Sequence, residues 1–213
     1  MSLKYRTLPV TPFAQNCSIV WCDETMEAIV IDPGGDIEQL EALIDNLNVN
    51  VVNLVLTHGH LDHVGGTEKL SEALGGIAII GPHHEDLFWL EGLEKQSQMF
   101  GFPITKAFKP SKWLSEGDSV RFGNQIMEVL HTPGHTPGHV VLFCRDAKLA
   151  FVGDVLFNGS VGRTDFPKGD FDTLIESIKT KLWPLGNDVK FVPGHGPEST
   201  IGHERKTNPF VAD

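Results

Sequence analysis

The sequence predicts an α/β fold in which β-sheets are covered by helices. Short apolar runs rich in valine and isoleucine recur along the chain, each about as long as a strand. Between some of these runs lie segments whose apolar residues recur at helical spacing. A chain that mixes the two patterns in this way forms sheets with helices packed on their faces.

Eight apolar runs are predicted to be strands. Each has the length and composition of a buried strand, and none approaches the length of a membrane span. In chain order they cover residues 17–21, 27–31, 51–56, 77–80, 126–130, 139–143, 149–152 and 189–192.

Three helices are predicted between these strands. The first follows Asp36 and has apolar residues at positions 37, 40, 44 and 47, and the second follows Thr67. The third follows Asp170 and has apolar residues at positions 174, 175, 178 and 182. We expect Asp36 and Thr67 to be N-caps and Gly75-Gly76 to end the second helix.

The segment 91–112 is predicted to be a long irregular connection between two similar halves of the chain. It contains Gly101, Pro103 and Pro110 among scattered aromatic residues. No low-complexity tract divides the 213 residues, and a chain of this length can build one well-buried core. We therefore expect a single domain over residues 1–213.

Composition and charge argue against several classes of function. The formal net charge is −11 and no long run of lysine or arginine offsets it, which argues against nucleic-acid binding. Cys17, Cys22 and Cys144 form an odd and sparse set that fits reduced thiols better than a disulfide framework. The first ten residues lack the apolar core of a signal peptide. We expect a cytoplasmic protein that binds no membrane.

The most informative motif places three imidazoles and a carboxylate within six residues. It comprises His58, His60, Asp62 and His63, directly after a predicted strand. In a loop or tight turn, His58 and His60 could face one cation while Asp62 and His63 face a second. Imidazole and carboxylate ligands suit zinc, iron or manganese, and the ligand types alone do not separate these metals.

Three further candidate ligands follow predicted strands in the same way, namely His135, Asp154 and His195. Strand ends that face one edge of a sheet are a natural place to assemble a site. A water or hydroxide between two cations would have a pKa lowered from about 15.7 toward about 7, which supplies a nucleophile. The expected arrangement is His58, His60 and His135 on one metal, Asp62, His63 and His195 on the other, and Asp154 as the bridge.

These ligand motifs and others along the chain carry a family resemblance. The matching segments are Phe13-x-Gln15-Asn16-Cys17, Asp32-Pro33-Gly34-Gly35, His58-x-His60-x-Asp62-His63, Thr132-Pro133-Gly134-His135-Thr136, Gly153-Asp154, Gly162-Arg163-x-Asp165-Phe166-Pro167 and Gly194-His195-Gly196. Together they resemble the metallo-β-lactamase superfamily, and specifically the short bacterial YcbL-type members of the type II glyoxalases (hydroxyacylglutathione hydrolases). The resemblance implies a four-layer αββα sandwich of two mixed sheets covered by helices, with two metals at the open edge of the sheets.

The resemblance also implies an activity. It suggests a binuclear hydrolase of glutathione thioesters that converts lactoylglutathione to D-lactate and glutathione in methylglyoxal detoxification, with a metal-bridging hydroxide as nucleophile. Asp62 would orient this nucleophile or take its proton, and Asp154 would bridge the metals. The implied cofactors are two divalent ions, with zinc favoured and iron or manganese as alternatives. The implied partner is a small-molecule substrate, with no obligate protein partner.

The chain departs from the longer type II glyoxalases in how it could hold glutathione. We expect it to lack the C-terminal helical domain of those enzymes, and the resemblance places Asp165 and Pro197 where they use tyrosines. Arg163 matches a basic position that contacts glutathione in them, and Lys168 follows it closely. We therefore expect Arg163 and Lys168 to be the substrate contacts, although Arg163 could instead form an ion pair with Asp165.

Other functions share parts of this pattern. Persulfide dioxygenases of the same superfamily use one iron and contain a stretch similar to residues 162–166. β-Lactamases usually have Cys or Ser where Asp154 stands, and flavin-linked diiron reductases have Glu where His60 stands. A non-enzymatic metal protein is disfavoured because structural sites normally close their coordination shell.

The remaining candidate polar residues are assigned no catalytic role. A hydrogen bond behind a metal ligand or simple packing is expected for His139 and His131. The segment from His83 to Asp86 is expected to be an exposed helical face, and His203 lies near the C-terminus. Asp32 could hydrogen-bond to a metal ligand, but it is expected to be mainly a turn former.

Overall fold

Two mixed β-sheets carry most of the structure, a computed structural model that describes residues 2–213. In the first sheet the strands lie side by side in chain order, and only β3–β4 and β4–β5 are parallel pairs. Its strands are β1 (Leu3–Val10), β2 (Gln15–Cys22), β3 (Glu27–Ile31), β4 (Asn50–Val55) and β5 (Ala78–Ile80).

The second sheet has six strands, in the order β13-β12-β9-β8-β7-β6. Only β9 and β12 run parallel, and a separate two-stranded hairpin, β10–β11, lies between them in the chain. The strands are β6 (Ser119–Phe122), β7 (Gln125–His131), β8 (Val140–Cys144), β9 (Leu149–Gly153), β10 (Leu156–Phe157), β11 (Ser160–Val161), β12 (Lys190–Pro193) and β13 (Ser199–Thr200).

Residues 2–213 contain seven α-helices. They are α1 (Ile37–Leu47), α2 (Leu61–Val64), α3 (Thr67–Ala73), α4 (Leu87–Glu91), α5 (Leu93–Phe100), α6 (Phe171–Ser177) and α7 (Ile201–Thr207). Short 3-10 turns cover His84–Asp86 and Trp183–Leu185, and α6 continues as a π-helical turn over Ile178–Leu182. No helix in residues 2–213 has the length and apolar character needed to cross a bilayer.

The alternation of side chains along the strands produces the layers. Ile29 of β3 and Leu142 of β8 belong to one buried cluster, which fills the space between the sheets. Their neighbours point the other way: Val30 packs with Leu40 of α1 under the first sheet, and Phe143 packs with Leu174 of α6 under the second.

The predicted αββα sandwich is confirmed, and within residues 2–213 no separate helical domain follows the second sheet. The single domain over residues 1–213 stays a prediction, and Met1 lies outside the described residues.

All eight predicted strands are present, with ends that differ by at most two residues, but other elements differ from the prediction. The segment 91–112 is not wholly irregular, because it contains α5, and Gly101 ends that helix with a φ of 69°. Asp36 precedes α1, yet its carboxylate accepts a hydrogen bond from the Thr11 amide instead of capping the helix. Thr67 is the first residue of α3, and the N-cap is Gly66.

Strand β1 and the short strands β6, β10, β11 and β13 were not predicted. In β1 polar and apolar residues share a half-exposed strand, so no apolar run marks it. The other four have only two to four residues each and are too short for a periodic pattern.

Candidate metal centre

Three histidines from two loops meet at one edge of the sheets. His58 and His60 follow β4, and His135 follows β7. Nδ1 of His60 lies 3.1 Å from Nε2 of His58 and 3.0 Å from Nε2 of His135. Nitrogens about this far apart suit a tetrahedral cation with bonds of about 2.0–2.1 Å. The structure therefore brings together the first predicted group of ligands.

The second predicted group lies beside the first. Asp62 and His63 are in α2, and His195 follows β12. Oδ2 of Asp62 lies 3.2 Å from Nε2 of His195 and 3.8 Å from Nε2 of His63. Within each of the two groups, the possible ligand atoms all lie within 4.8 Å of one another.

Asp154, which directly follows β9, lies between the two groups. Its Oδ1 is 3.3 Å from Nε2 of His63, and its Oδ2 is 3.6 Å from Nε2 of His135 and 3.7 Å from Nε2 of His195. Gly194 makes room for this carboxylate, because a Cβ at that position would overlap Oδ1. One carboxylate thus contacts both groups, which is the placement that a bridging ligand requires.

Four of the five histidines in the two groups are oriented by a hydrogen bond from Nδ1. Because the proton sits on Nδ1, the lone pair of Nε2 is free to face the centre. His60 differs, since its Nδ1 is the atom that faces the other imidazoles. The four bonds join His58 to Oγ1 of Thr57 (3.1 Å), His63 to Oδ2 of Asp32 (2.8 Å), His135 to the Arg163 carbonyl (2.6 Å) and His195 to the Phe13 carbonyl (3.1 Å).

Two atoms of this centre point to bound cations. Nε2 of His63 and Oδ1 of Asp154 are buried and have no hydrogen-bond partner among residues 2–213. Buried polar atoms are rarely left in this state, because an unpaired polar group costs free energy. A nitrogen lone pair and a carboxylate oxygen beside each other are what a divalent cation would satisfy. The donor set therefore fits metal binding.

The histidine pKa values shift in opposite directions in the two groups of ligands. Burial lowers the pKa of His58 and His60 well below the ordinary value, so that these imidazoles are held in the neutral, metal-binding form. Burial alone would also lower the pKa of His63, but the carboxylates of Asp154 and Asp62 outweigh it and raise this pKa well above the ordinary value. A cation bound there would displace the proton of His63.

Asp86 is a structural link that sequence analysis missed. It was expected on an exposed helical face, yet its side chain is fully buried. One carboxylate oxygen accepts hydrogen bonds from the Gly59 amide and from Oγ1 of Thr136, each at 2.8 Å, and the other accepts one from the Gly138 amide at 2.6 Å. Burial raises the pKa of Asp86 to about 6, although these hydrogen bonds favour the charged form. Asp86 thus ties the loop of His58 and His60 to the loop of His135.

The other histidines lie outside the two groups. His139 accepts a hydrogen bond from the Asp154 amide at its Nε2 (3.0 Å) and stacks on His58, as expected for a residue behind the ligands. His131 stacks on His83 at the surface, with the carboxylate of Glu85 3.6 Å from both rings. His203 is in α7.

A cleft of about 820 Å³ opens beside the centre and is lined by His60, Asp62, His135, Asp154 and His195. Arg163 lines this cleft, and its guanidinium is also paired with both oxygens of Asp165, at 2.9 and 2.7 Å. Lys168 does not line the cleft. Its Nζ lies 4.6 Å from the centroid of the ring of Phe88, and Phe88 does line the cleft. The roles of Arg163 and Lys168 as substrate contacts stay predictions.

Lys95 of α5 is a lining cation that sequence analysis did not single out. Its segment was predicted to be irregular, so no pattern placed it near the ligands. The helix stop at Gly101 and the spacing of Leu93, Gln96 and Ser97, which form the buried face of α5, could have indicated this helix.

The chain is similar to known proteins in both sequence and structure. The sequence matches the family model described as the metallo-beta-lactamase superfamily over residues 10–195. Hydroxyacylglutathione hydrolase GloC from Haemophilus influenzae is 49% identical over 205 residues, which cover 96% of each chain.

Two crystal structures are also similar to this chain over nearly its whole length. The BLEG-1 B3 metallo-beta-lactamase has a TM-score of 0.90 and 34% identity, with 99% of this chain and 100% of that one covered. TTHA1623 in a di-iron-bound form has a TM-score of 0.88 and 38% identity, with 97% of this chain and 100% of that one covered.

Proposed function

The chain belongs to the metallo-β-lactamase superfamily and is a metal-dependent hydrolase, and from this premise we propose that its substrates are glutathione thioesters. The observation that carries the proposal is the Asp154 carboxylate, which contacts histidines of both groups and so allows two cations to share one ligand. The high identity to a protein named hydroxyacylglutathione hydrolase supports the choice of substrate.

The proposed cofactors are two divalent ions. His58, His60 and His135 would hold one, Asp62, His63 and His195 the other, and Asp154 both. Zinc suits a set of imidazoles and carboxylates, and iron or manganese are alternatives. A related structure in a di-iron-bound form supports iron as an alternative. Bound ions of this kind supply a water molecule with a pKa lowered toward about 7 and polarise a carbonyl group.

The residues of the chain have separate tasks in the proposed reaction. Asp62, which lines the cleft, has an oxygen 3.2 Å from His195 and can orient the attacking water and accept its proton. Asp154 and the five histidines would bind the two divalent ions and fix their positions. Water adds to the thioester carbonyl and the C–S bond breaks, which yields a carboxylic acid and the free thiol of glutathione.

The substrate contacts are proposed from the cations near the cleft. Arg163 and Lys95 line it, and Nζ of Lys168 lies 4.6 Å from the ring of Phe88, another lining residue. These side chains can pair with the carboxylates of a glutathionyl group in a protein whose net charge is −11. Lactoylglutathione is the proposed substrate and methylglyoxal detoxification the proposed role, in the cytoplasm, where the three buried, unpaired cysteines would stay reduced.

β-Lactam hydrolysis is a second candidate, because a related structure is described as a B3 metallo-beta-lactamase. Persulfide oxygenation with one iron is a third, suggested by the stretch from Gly162 to Phe166. The three reactions consume different reactants, which makes them simple to separate.

The test is a substrate panel with purified, metal-replete protein. The proposal predicts release of thiol from S-lactoylglutathione at the same rate under argon and in air. It also predicts slower turnover of the β-lactam nitrocefin and no oxygen uptake with glutathione persulfide. Oxygen uptake on the persulfide without thioester hydrolysis would contradict the proposal, and so would efficient nitrocefin turnover without it.

A further inference from the structure

The cleft beside the centre has an apolar wall that a lactoyl group does not explain. Eight large apolar side chains are exposed among residues 2–213, and four of them line this one cleft. An exposed apolar patch next to a reactive centre marks a surface that a ligand covers. The four are Phe13 (45% exposed), Phe88 (44%), Met99 (66%) and Phe100 (41%).

The wall is held close to the ligands. The ring of Phe13 packs edge-on against that of Phe100, with the centroids 5.7 Å apart. The Phe13 carbonyl accepts the hydrogen bond from Nδ1 of His195. Phe13 is therefore directly attached to a residue of the second ligand group. Met99 precedes Phe100 at the end of α5 and is the more exposed of the two.

Polar side chains also line the cleft, some of them in the same hairpin as the apolar Phe157. Asn158 and Ser160 belong to the β10–β11 hairpin, and Arg163 follows it. Side chains of this kind suit the amides and carboxylates of a glutathionyl group. The cleft therefore combines polar groups that can hold a glutathionyl group with an exposed apolar surface that is left for the acyl group.

We propose that the acyl arm of the substrate is bulky and apolar, an aryl or branched alkyl group that packs on Phe13, Met99 and Phe100. This inference rests on the proposed function, glutathione thioester hydrolysis, and shifts the preferred acyl group from lactoyl to a larger one. A lactoyl group offers only one methyl to this wall, whereas a phenyl group would remove much more apolar surface from water. Apolar contacts of this size change kcat/KM by about 10- to 200-fold.

The first test compares two thioesters that differ only at this arm. S-mandeloylglutathione has a phenyl group where S-lactoylglutathione has a methyl, and both keep the α-hydroxyl. We expect kcat/KM to be at least about tenfold higher for the mandeloyl compound. Equal or lower kcat/KM for the mandeloyl compound would overturn the inference.

The second test locates the effect on the wall. The double substitution Met99→Gln and Phe100→Gln should lower the mandeloyl-to-lactoyl ratio of kcat/KM by about fivefold or more. Ile104→Gln is the matched control, because Ile104 is 58% exposed but does not line the cleft, and its ratio should equal that of the wild type. A ratio that is unchanged in the double variant would overturn the assignment of the wall.

A binding measurement separates the inference from the proposed reaction. S-benzylglutathione and S-methylglutathione are not hydrolysed, and the wall predicts a Kd about tenfold lower for the benzyl compound. Failure of every thioester to react would contradict the proposed function. Thioester hydrolysis without a preference for the aryl compounds, in rate or in binding, would contradict the inference alone.

Discussion

Asp32 and His63 are joined by a buried hydrogen bond, 2.8 Å long, between Oδ2 of the carboxylate and Nδ1 of the ring. The same carboxylate accepts hydrogen bonds from the amide and the hydroxyl of Thr57, at 2.7 and 2.5 Å. Oγ1 of Thr57 in turn lies 3.1 Å from Nδ1 of His58. A single aspartate at the end of β3 thus orients one histidine of each proposed metal site.

Asp32→Asn tests this orientation. Asn tolerates the positive φ of 53° at this position, but it has one acceptor oxygen for three donors. Loss of such a partner behind a metal ligand weakens metal binding by about 10- to 100-fold. Competition with a chelator measures this affinity, and an affinity within twofold of the wild type would show that Asp32 is only a turn former.

Asp86→Asn tests the link between the two ligand loops. An amide leaves at least one of the donors from Gly59, Thr136 and Gly138 unpaired, and it sets its own N–H group against that donor. We expect the free energy of unfolding to fall by about 2–4 kcal/mol in urea denaturation. The neighbouring exposed variant Glu85→Gln is the control and should change it by less than about 0.5 kcal/mol. Equal stability of the two variants would contradict the structural role of Asp86.

The buried hydrogen bonds of Asp32 and Asp86 could not be predicted from the sequence. Eight of the thirteen strands in residues 2–213 and the seven candidate ligands could be proposed from the sequence, because apolar periodicity and the placement of polar residues after strands are local patterns. The partners of Asp32 and Asp86 lie 25 to 52 residues away in the chain, and only the packed sheets bring them together. No local pattern distinguishes such an aspartate from an ordinary turn residue.

The helix α5 shows a second limit. Gly101 was interpreted as part of an irregular connection, although a glycine with positive φ is also a common end of a helix. Since α5 supplies Lys95, Met99 and Phe100 to the cleft, this error left one lining cation and half of the four-residue apolar wall unpredicted. The cluster of candidate ligands was therefore predicted more completely than the cleft beside it.

Arg163→Ala tests the proposed contact with glutathione. An exposed ion pair is worth about 0.2–1 kcal/mol, so KM for S-lactoylglutathione should rise about two- to fivefold, with a smaller change in kcat. Arg145→Ala is a closely matched control, because Arg145 is 66% exposed, against 67% for Arg163, and is likewise paired with both oxygens of a carboxylate, that of Glu128. Equal KM values for the two variants would remove Arg163 from the substrate site.

Asp154→Ala tests the shared carboxylate. The buried clusters that hold the sheets together consist of apolar side chains, so the circular dichroism spectrum should stay that of the folded protein. Bound metal and thioester hydrolysis should both fall to a small fraction of the wild-type values. The exposed variant Asp146→Ala should keep both. Full metal content in Asp154→Ala would rule out a bridging role.

The most direct measurement of the central claim is a metal titration of activity. Protein stripped by a chelator is given zinc, iron or manganese in steps, and thiol release from S-lactoylglutathione is followed under argon and in air. The account predicts no release without metal, a maximum at about two ions per chain, and equal rates with and without oxygen. Full release by the stripped protein would contradict it, as would a maximum at one iron per chain that requires oxygen.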